Sequence, residues 1–142
     1  MAHRTLSFLA RYAVPPEILW QVVTDHEGMG RWLGVPVKVI AAPPGGGVGT
    51  VRRIAAGPLS IDEEVVVFEP PRRMIYRIVR GLPVRYHRGE VRISPFRDDG
   101  SELAWEITIA SGVPFLAETV SGILRRRINR GLRALRDLLD EG

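Results

Sequence analysis

The chain has 142 residues, of which 45% are hydrophobic and 25% are charged. This length fits one domain, expected to span residues 1–142, and this composition excludes a disordered chain, a collagen and a coiled coil. Twenty Lys and Arg residues oppose sixteen Asp and Glu, and Lys38 is the only lysine, so an anionic partner has to be considered. Cysteine is absent, which excludes disulfide bonds and a cysteine nucleophile.

The N-terminal segment does not follow the pattern of a secretory leader. Ser7 and Arg11 interrupt the apolar run after the basic start, and no small-residue cleavage site follows it. No apolar run approaches the ~18–20 residues of a membrane-spanning helix. We therefore expect a cytoplasmic protein without a transmembrane segment.

The first part of the chain predicts a strand, two short helices and a second strand. Residues alternate between apolar and other types over Thr5–Tyr12, which predicts the first strand. Pro15-Pro16 suits a helix start, because proline lacks a donor that the first turn leaves unpaired. Helical spacing continues to about Thr24, a brief helix is predicted at Arg31–Leu33, and the β-branched run Val35–Ala41 predicts a strand.

Turn signals then divide the chain into further strands. A proline- and glycine-rich turn occupies residues 43–47, and Asp98-Asp99-Gly100 is a strong turn signal before the last strand. The predicted strands are Thr50–Ala55, Leu59–Glu69, Arg73–Arg80, Val84–Ile93 and Glu102–Ala110.

After Pro114 the apolar period becomes helical and predicts the longest element, a helix from Leu116 to about Asp140. Gly122 and Gly131 each cost this helix about 1 kcal/mol of propensity. Gly131 lies on the predicted inner stripe, where the missing side chain would admit either the sheet or a ligand. Antiparallel strands flanked by helices predict an α+β fold. A curved sheet of about seven strands wrapped around the last helix would leave an apolar cavity between them.

Four stretches, taken in order, resemble one known superfamily. They are Val14–Trp20 with Val23–Asp25 and Arg31–Leu33, then Gly47–Arg53, then Glu64–Tyr76, and finally Leu103–Trp105 with the long helix. In this order they resemble the START/polyketide cyclase-like (SRPBCC) superfamily. The resemblance implies the helix-grip fold and a hydrophobic cavity. It leaves the activity open, because its members carry lipids, bind hormones or other hydrophobic molecules, or cyclise and dehydrate polyketides.

The predicted ligand-binding residues combine large rings, one cationic anchor and a helical floor. Rings with a polar tip give apolar area and one directed hydrogen bond. An inward arginine would bind a carboxylate or carbonyl of the ligand. These residues are Trp32, Tyr76, Tyr86, Arg88, Trp105, Val120 and Leu124.

The strand Val84–Ile93 carries the candidates for acid–base chemistry. Val84 and Tyr86 have one parity and Val91 and Ile93 the other, and the change at Gly89 predicts a bulge or bend. Charged groups beside that change could point into the cavity, where burial shifts a pKa. The catalytic candidates are Glu90, His87 and Tyr86.

Other charged and polar motifs favour structural interpretations. The acidic run Asp62–Glu64 is predicted to pair with arginines across the hairpins, with Asp62 and Glu64 on one face. His3, His26 and His87 lack the spacing of metal ligands, so we expect no metal and no cofactor. Gly45–Gly49 precedes a strand rather than a helix and is predicted to be a turn, not a phosphate-binding loop.

The last helix carries six arginines, of which Arg126, Arg130 and Arg133 form a predicted outer stripe. Nucleic-acid-binding signatures are absent from the sequence, so we expect a solvated face and do not expect nucleic acid as a partner. Three hypotheses remain. The protein binds or carries a hydrophobic small molecule, it is a cofactor-independent cyclase or dehydrase, or it is a regulatory or nucleic-acid-binding protein with a basic surface. We expect a monomer or a homodimer.

Overall fold

A computed structural model describes residues 3–56 and 58–141. The helices are α1 (Pro16–Val23), α2 (Met29–Leu33) and α3 (Leu116–Glu141). The strands are β1 (His3–Tyr12), β2 (Val37–Ala41), β3 (Val51–Ala56), β4 (Leu59–Glu69), β5 (Arg73–Arg80), β6 (Tyr86–Phe96) and β7 (Gly100–Ala110). The predicted order of elements is confirmed, with strand and helix ends shifted by a few residues.

The seven strands form one antiparallel sheet in the order β1-β7-β6-β5-β4-β3-β2. Two bulges interrupt the pairing of β4 with β5, because Val79 has no partner between Asp62 and Glu63, and Val66 has none between Tyr76 and Ile75. Such bulges bend a strand and increase its twist. The sheet curves around α3, which confirms the predicted helix-grip architecture.

The long helix α3 packs against β1 and β7 of the sheet and against α2, while α1 packs on β6 and β7. At its C-terminal half α3 is tied to β1 by the Tyr12 hydroxyl, which donates to the Leu132 carbonyl at 3.0 Å. Leu132 and Leu135 bury their side chains in the main apolar core beside Leu6 and Leu103. This end of the molecule is therefore filled by side chains.

Gly131 marks the close approach of α3 and α2. A Cβ atom at this position would lie 2.9 Å from Leu33 Cδ2 and 3.3 Å from the Trp32 carbonyl oxygen. The missing side chain therefore admits α2, which corrects the expectation that it admits the sheet or a ligand. The short helix α2 ends at Gly34, whose φ of 76° is in the left-handed region that glycine adopts without strain.

Within the described ranges, none of the helices has both the length and the hydropathy needed to span a lipid bilayer.

Candidate ligand-binding site

The inner face of the sheet and the first half of α3 enclose a cavity of about 120 Å³. Its walls come from β3, β4, β5, β6, β7, α2 and α3. The apolar lining residues are Met29, Leu33, Val35, Ile54, Ile61, Ile78, Leu82, Trp105, Ile107, Ile109, Val120, Ile123, Leu124 and Ile128, and the polar ones are Arg52, Glu63, Tyr76, His87 and Arg127.

The cavity opens to solvent beside α3. Ile123 lines the cavity although it is 48% exposed. Leu82, in the loop between β5 and β6, and Arg127 on α3 also line it and are only half-buried. These three residues therefore lie at its mouth, and a ligand would enter between α3 and the β5–β6 loop.

A buried ion pair forms the polar end of the cavity. Arg52 on β3 is only 1% exposed, and its Nε donates to Glu63 Oε1 on β4 at 2.9 Å. Its Nη2 lies 2.9 Å from the same carboxylate oxygen. β3 and β4 pair Arg52 directly with Glu63, so both side chains leave the same face of the sheet. The two charges cancel, and this end of the cavity is polar but carries no net charge.

The guanidinium of Arg52 is held on its other sides by His26 and Tyr76. Its Nη1 lies 3.2 Å from His26 Nδ1, and because arginine only donates, this nitrogen accepts and His26 is neutral. Burial, followed by the charge of Arg52, lowers the pKa of His26 to about 4. The guanidinium carbon also lies 4.6 Å from the centre of the Tyr76 ring, within the range of a cation–π contact.

His87 occupies the place where β5 and β6 separate. The ladder between these strands extends from Arg73↔Arg92 to Tyr76↔Gly89 and stops there. Beyond it, the backbone N–H of Ile78 donates to His87 Nδ1 at 3.0 Å. Burial lowers the pKa of His87, so the imidazole is neutral and carries its proton on Nε2. His87 therefore offers a hydrogen-bond donor at the cavity wall.

Tyr76 and Trp105 form the aromatic wall of the cavity. The Trp105 indole Nε1 donates to the Tyr76 hydroxyl at 2.9 Å. Burial, together with the Glu63 charge, raises the pKa of Tyr76 above its usual range, so the phenol stays protonated. With its oxygen accepting from Trp105, Tyr76 keeps its own proton as a donor.

Five predicted residues lie around this cavity. Tyr76, Trp105, Val120 and Leu124 line it, as does His87 from the catalytic candidates. Trp32 lies behind the wall, with its ring centre 6.3 Å from that of Trp105 in an edge-on arrangement. In the described part of the chain, its buried Nε1 has no hydrogen-bond partner.

Three other predicted residues lie on the outer face of the sheet. Tyr86 is 44% exposed and lies beside His3, with tilted rings whose centres are 6.2 Å apart. Arg88 Nη1 donates to Glu90 Oε1 at 3.1 Å, and Glu90 lies 3.5 Å from an Arg73 nitrogen. The inward direction expected for these side chains is therefore wrong.

The physical reason is that β6 has no bulge at Gly89. Its pairing with β7 is continuous from Tyr86↔Ala110 to Phe96↔Gly100, so His87, Gly89 and Val91 share the inner face. Val84 precedes the strand, and its parity carries no information about the direction of Tyr86. Gly89 instead makes room for a ring, since a Cβ there would lie 2.2 Å from Tyr76 Cζ.

Arg52 and Glu63 are the site residues that the sequence prediction missed. The signal was parity: Arg52 alternates in phase with Ile54, and Glu63 with Ile61 and Val65. The flanking acids do form the predicted outer ion pairs. Asp62 accepts from Arg53 Nε at 2.8 Å and from Arg80 Nε at 2.8 Å, and Glu64 accepts from Arg77 Nη2 at 3.1 Å.

Known proteins share this fold. A sequence model of the family described as "Polyketide cyclase / dehydrase and lipid transport" matches residues 6–140. No curated protein matches the sequence significantly. Among solved structures, a START superfamily protein from Mycobacterium smegmatis superposes with a TM-score of 0.81 at 14% identity, covering 99% of each chain.

Two further solved structures are similar over nearly their whole length. Ara h 8.0201 superposes with a TM-score of 0.78 at 16% identity, over 99% of this chain and 100% of that chain. XoxI from Bacillus cereus has a TM-score of 0.74 at 24% identity, over 97% of this chain and 95% of that chain. At such identities these likenesses show a common fold. They do not show that the proteins share a ligand.

Proposed function

The chain belongs to the polyketide cyclase/dehydrase and lipid transport family, and from this membership and the cavity we propose that it binds a small hydrophobic or aromatic molecule between the sheet and α3. The observation that carries the proposal is the cavity itself. Apolar side chains from the sheet, α2 and α3 surround it, and its mouth opens beside Ile123. Concave apolar sites with a few directed polar groups are typical of small-molecule binding.

The size of the cavity limits what its interior can hold. An engineered apolar cavity of about 150 Å³ binds benzene, and this one has about 120 Å³. The enclosed part of a ligand is therefore one ring or a short alkyl chain, and a larger ligand would extend through the mouth.

The polar end favours an uncharged oxygen or nitrogen acceptor on the enclosed group. His87 offers Nε2–H and Tyr76 offers O–H, and both groups are neutral donors. Arg52 is already neutralised by Glu63 at 2.9 Å. A carboxylate placed here would face the Glu63 carboxylate without a free cation, and its desolvation would be uncompensated. A phenol or a ketone fits these donors.

Filling the cavity from α3 tests the proposal. Val120 is half-buried and lines the cavity, so we expect Val120→Trp to fold and to weaken the binding of toluene, phenol and indole at least about tenfold. Val48→Trp is the matched control, because Val48 is 56% exposed in a distant turn. Isothermal titration calorimetry measures the affinity of each variant and of wild type for the three probes. If wild type binds none of the three probes, or if Val120→Trp binds them like wild type, the proposal is wrong.

A second candidate function is acid–base catalysis on the bound molecule, favoured by Glu63, Tyr76 and His87 lining the same cavity. Here Glu63 would accept a proton and His87 Nε2–H would donate to a developing oxyanion. Native mass spectrometry of the protein from its own host would identify the bound molecule. The enzyme hypothesis expects Glu63→Gln, which keeps an acceptor for Arg52 but cannot take up a proton, to abolish conversion of that molecule and to spare its binding, whereas a carrier converts nothing.

A further inference from the structure

Four arginines lie around a groove between α2 and α3. Arg31 comes from α2 and Arg126, Arg127 and Arg130 from α3, and the groove has a volume of about 400 Å³. On a helix, residues three and four positions apart are neighbours, which places the three α3 arginines on one side of α3. Glutamate and aspartate are absent from the groove's lining within the described residues.

These arginines differ from those on the outer face of the sheet. There, Arg53, Arg77 and Arg88 each form an ion pair with a carboxylate at 2.8 to 3.1 Å. Among the side chains that the structure describes, no carboxylate lies within ion-pair distance of any of the four groove arginines. The like charges on neighbouring turns of α3 repel each other, so a bound anion would relieve that repulsion.

The acids nearest to Arg31 in sequence have other partners. Asp25 Oδ1 accepts from the Gly28 N–H at 3.2 Å, and Glu27 Oε2 accepts from the Val39 N–H at 2.9 Å. Neither carboxylate lines the groove. The positive charge of the groove is therefore not cancelled from the α2 side.

The groove continues into the cavity. Leu33, Ile123 and Arg127 line both, so a molecule leaving the mouth of the cavity passes directly over the arginines. The interior of the cavity has no cation to spare, because Arg52 is paired with Glu63. A charged group on the ligand would therefore be stabilised outside the cavity rather than within it.

We propose that this groove binds the anionic head group, a phosphate or a carboxylate, of an amphipathic ligand whose apolar end occupies the cavity. The inference rests on the proposed function. It adds the chemical class of the ligand and assigns a role to arginines that the sequence alone left as a solvated face. Arg127, which lines both spaces, would bind the head group closest to the mouth.

Calorimetric titration of the full chain with four probes tests this. The probes are hexanol, hexyl phosphate, hexanoate and inorganic phosphate. The six-carbon probes match in carbon count the benzene that an apolar cavity of about 150 Å³ binds. We expect hexyl phosphate or hexanoate to bind at least about tenfold more tightly than hexanol, because charge-assisted hydrogen bonds are the stronger ones. The advantage should decrease at high salt. Comparison of the two anions identifies which head group the groove prefers.

Paired charge variants locate the effect. Arg126→Gln with Arg130→Gln should reduce the anionic advantage to less than about threefold without weakening hexanol binding. Arg125→Gln with Arg133→Gln removes the same charge from the same helix at exposed positions outside the groove, and should keep the advantage. An equal loss in both double variants would show a general field effect and overturn the inference.

The remaining outcomes separate the inference from the proposed function. If hexanol binds and neither anion binds more tightly, the inference is wrong and the cavity proposal stands. If inorganic phosphate binds as tightly as hexyl phosphate, the groove is a free-anion site and the head-group inference is wrong. If neither hexanol nor either amphipathic anion binds, both are wrong.

Discussion

Gly89 and Tyr76 show how a single missing side chain shapes the cavity wall. The Tyr76 ring occupies the space that a Cβ at Gly89 would need, and its hydroxyl accepts the Trp105 indole N–H at 2.9 Å. The ring is buried, so it cannot yield by moving into solvent. This position requires glycine for space, because its φ lies outside the left-handed region.

We therefore predict opposite effects for two glycine-to-alanine substitutions. Gly89→Ala should lower the free energy of unfolding by about 2–4 kcal/mol, since the Tyr76 ring must shift and its hydrogen bond with Trp105 is lost. Gly122→Ala should raise it by about 0.5–1 kcal/mol, because nothing lies within 4 Å of the added Cβ and alanine favours the helix. Urea denaturation measures both. A neutral Gly89→Ala would contradict this account of the wall.

The buried Arg52–Glu63 ion pair raises the question of what it contributes to stability. Burying two charges costs desolvation that their attraction rarely exceeds, so a buried ion pair is weak evidence for stability. In this protein the pair lies at the polar end of a cavity rather than within packed core. Its position is better explained by the proposed binding site than by the stability of the sheet.

At the scale of elements, β5 and β6 separate next to the mouth of the cavity. Their ladder ends at Tyr76↔Gly89, and the loop with Leu82 follows. A backbone N–H left at such a splay needs a partner, because an unpaired buried donor costs about 1–3 kcal/mol. His87 Nδ1 supplies that partner to Ile78. One side chain therefore stabilises the opening and presents its other nitrogen to the cavity.

This predicts a local effect of His87→Phe. The ring keeps the apolar packing but leaves the Ile78 N–H without an acceptor. We expect amide exchange at Ile78 to accelerate at least about tenfold, while the amides in the continuous ladder between β6 and β7 keep their protection. Hydrogen exchange followed by NMR distinguishes the two sets. Unchanged protection at Ile78 would contradict the role given to Nδ1.

The elements themselves were predictable and the directions of some side chains were not. Turn signals, apolar periods and one β-branched run predict the strands, α1 and α3, because these are local properties of the sequence. Val84 precedes β6, so its parity does not indicate the direction of Arg88. The parity of Val91 and Ile93 continues without a bulge to His87 and places Arg88 on the outer face. Arg52 and Glu63 were missed because their burial arises only when two strands pair in register.

For the whole molecule, two groups of arginines differ in their surroundings. On the outer face of the sheet, arginines alternate with acids and form ion pairs such as Arg77 with Glu64. Exposed pairs of this kind contribute about 0–1 kcal/mol each. The groove between α2 and α3 collects arginines without acids. Net charge therefore says less about function than the local pairing of the charges does.

His26, which is half-buried, and His87, which is buried, make the stability of the whole molecule depend on pH. Burial lowers the pKa of His26 to about 4, from 6.5, and lowers that of His87. Between these values the unfolded chain binds more protons than the folded one, so the free energy of unfolding falls as pH decreases from about 6.5 towards 4. Hydrogen bonds from Arg53 and Arg80 hold the pKa of Asp62 below its usual range, which adds a further loss below about pH 4.

We predict that the free energy of unfolding, measured with urea, is constant between about pH 7 and about pH 9, below the usual pKa of tyrosine, and is lower at pH 4.5 than at pH 7. The contribution of His26 is about 1–2 kcal/mol, since its partial exposure screens the effect. His26→Gln keeps an acceptor for Arg52 without a titrating group. Its free energy of unfolding should therefore change less with pH over this range than that of wild type. His3→Gln, at an exposed position, should follow the wild-type curve. If the free energy of unfolding changes equally with pH in His26→Gln and wild type, burial beside Arg52 does not lower the pKa of His26.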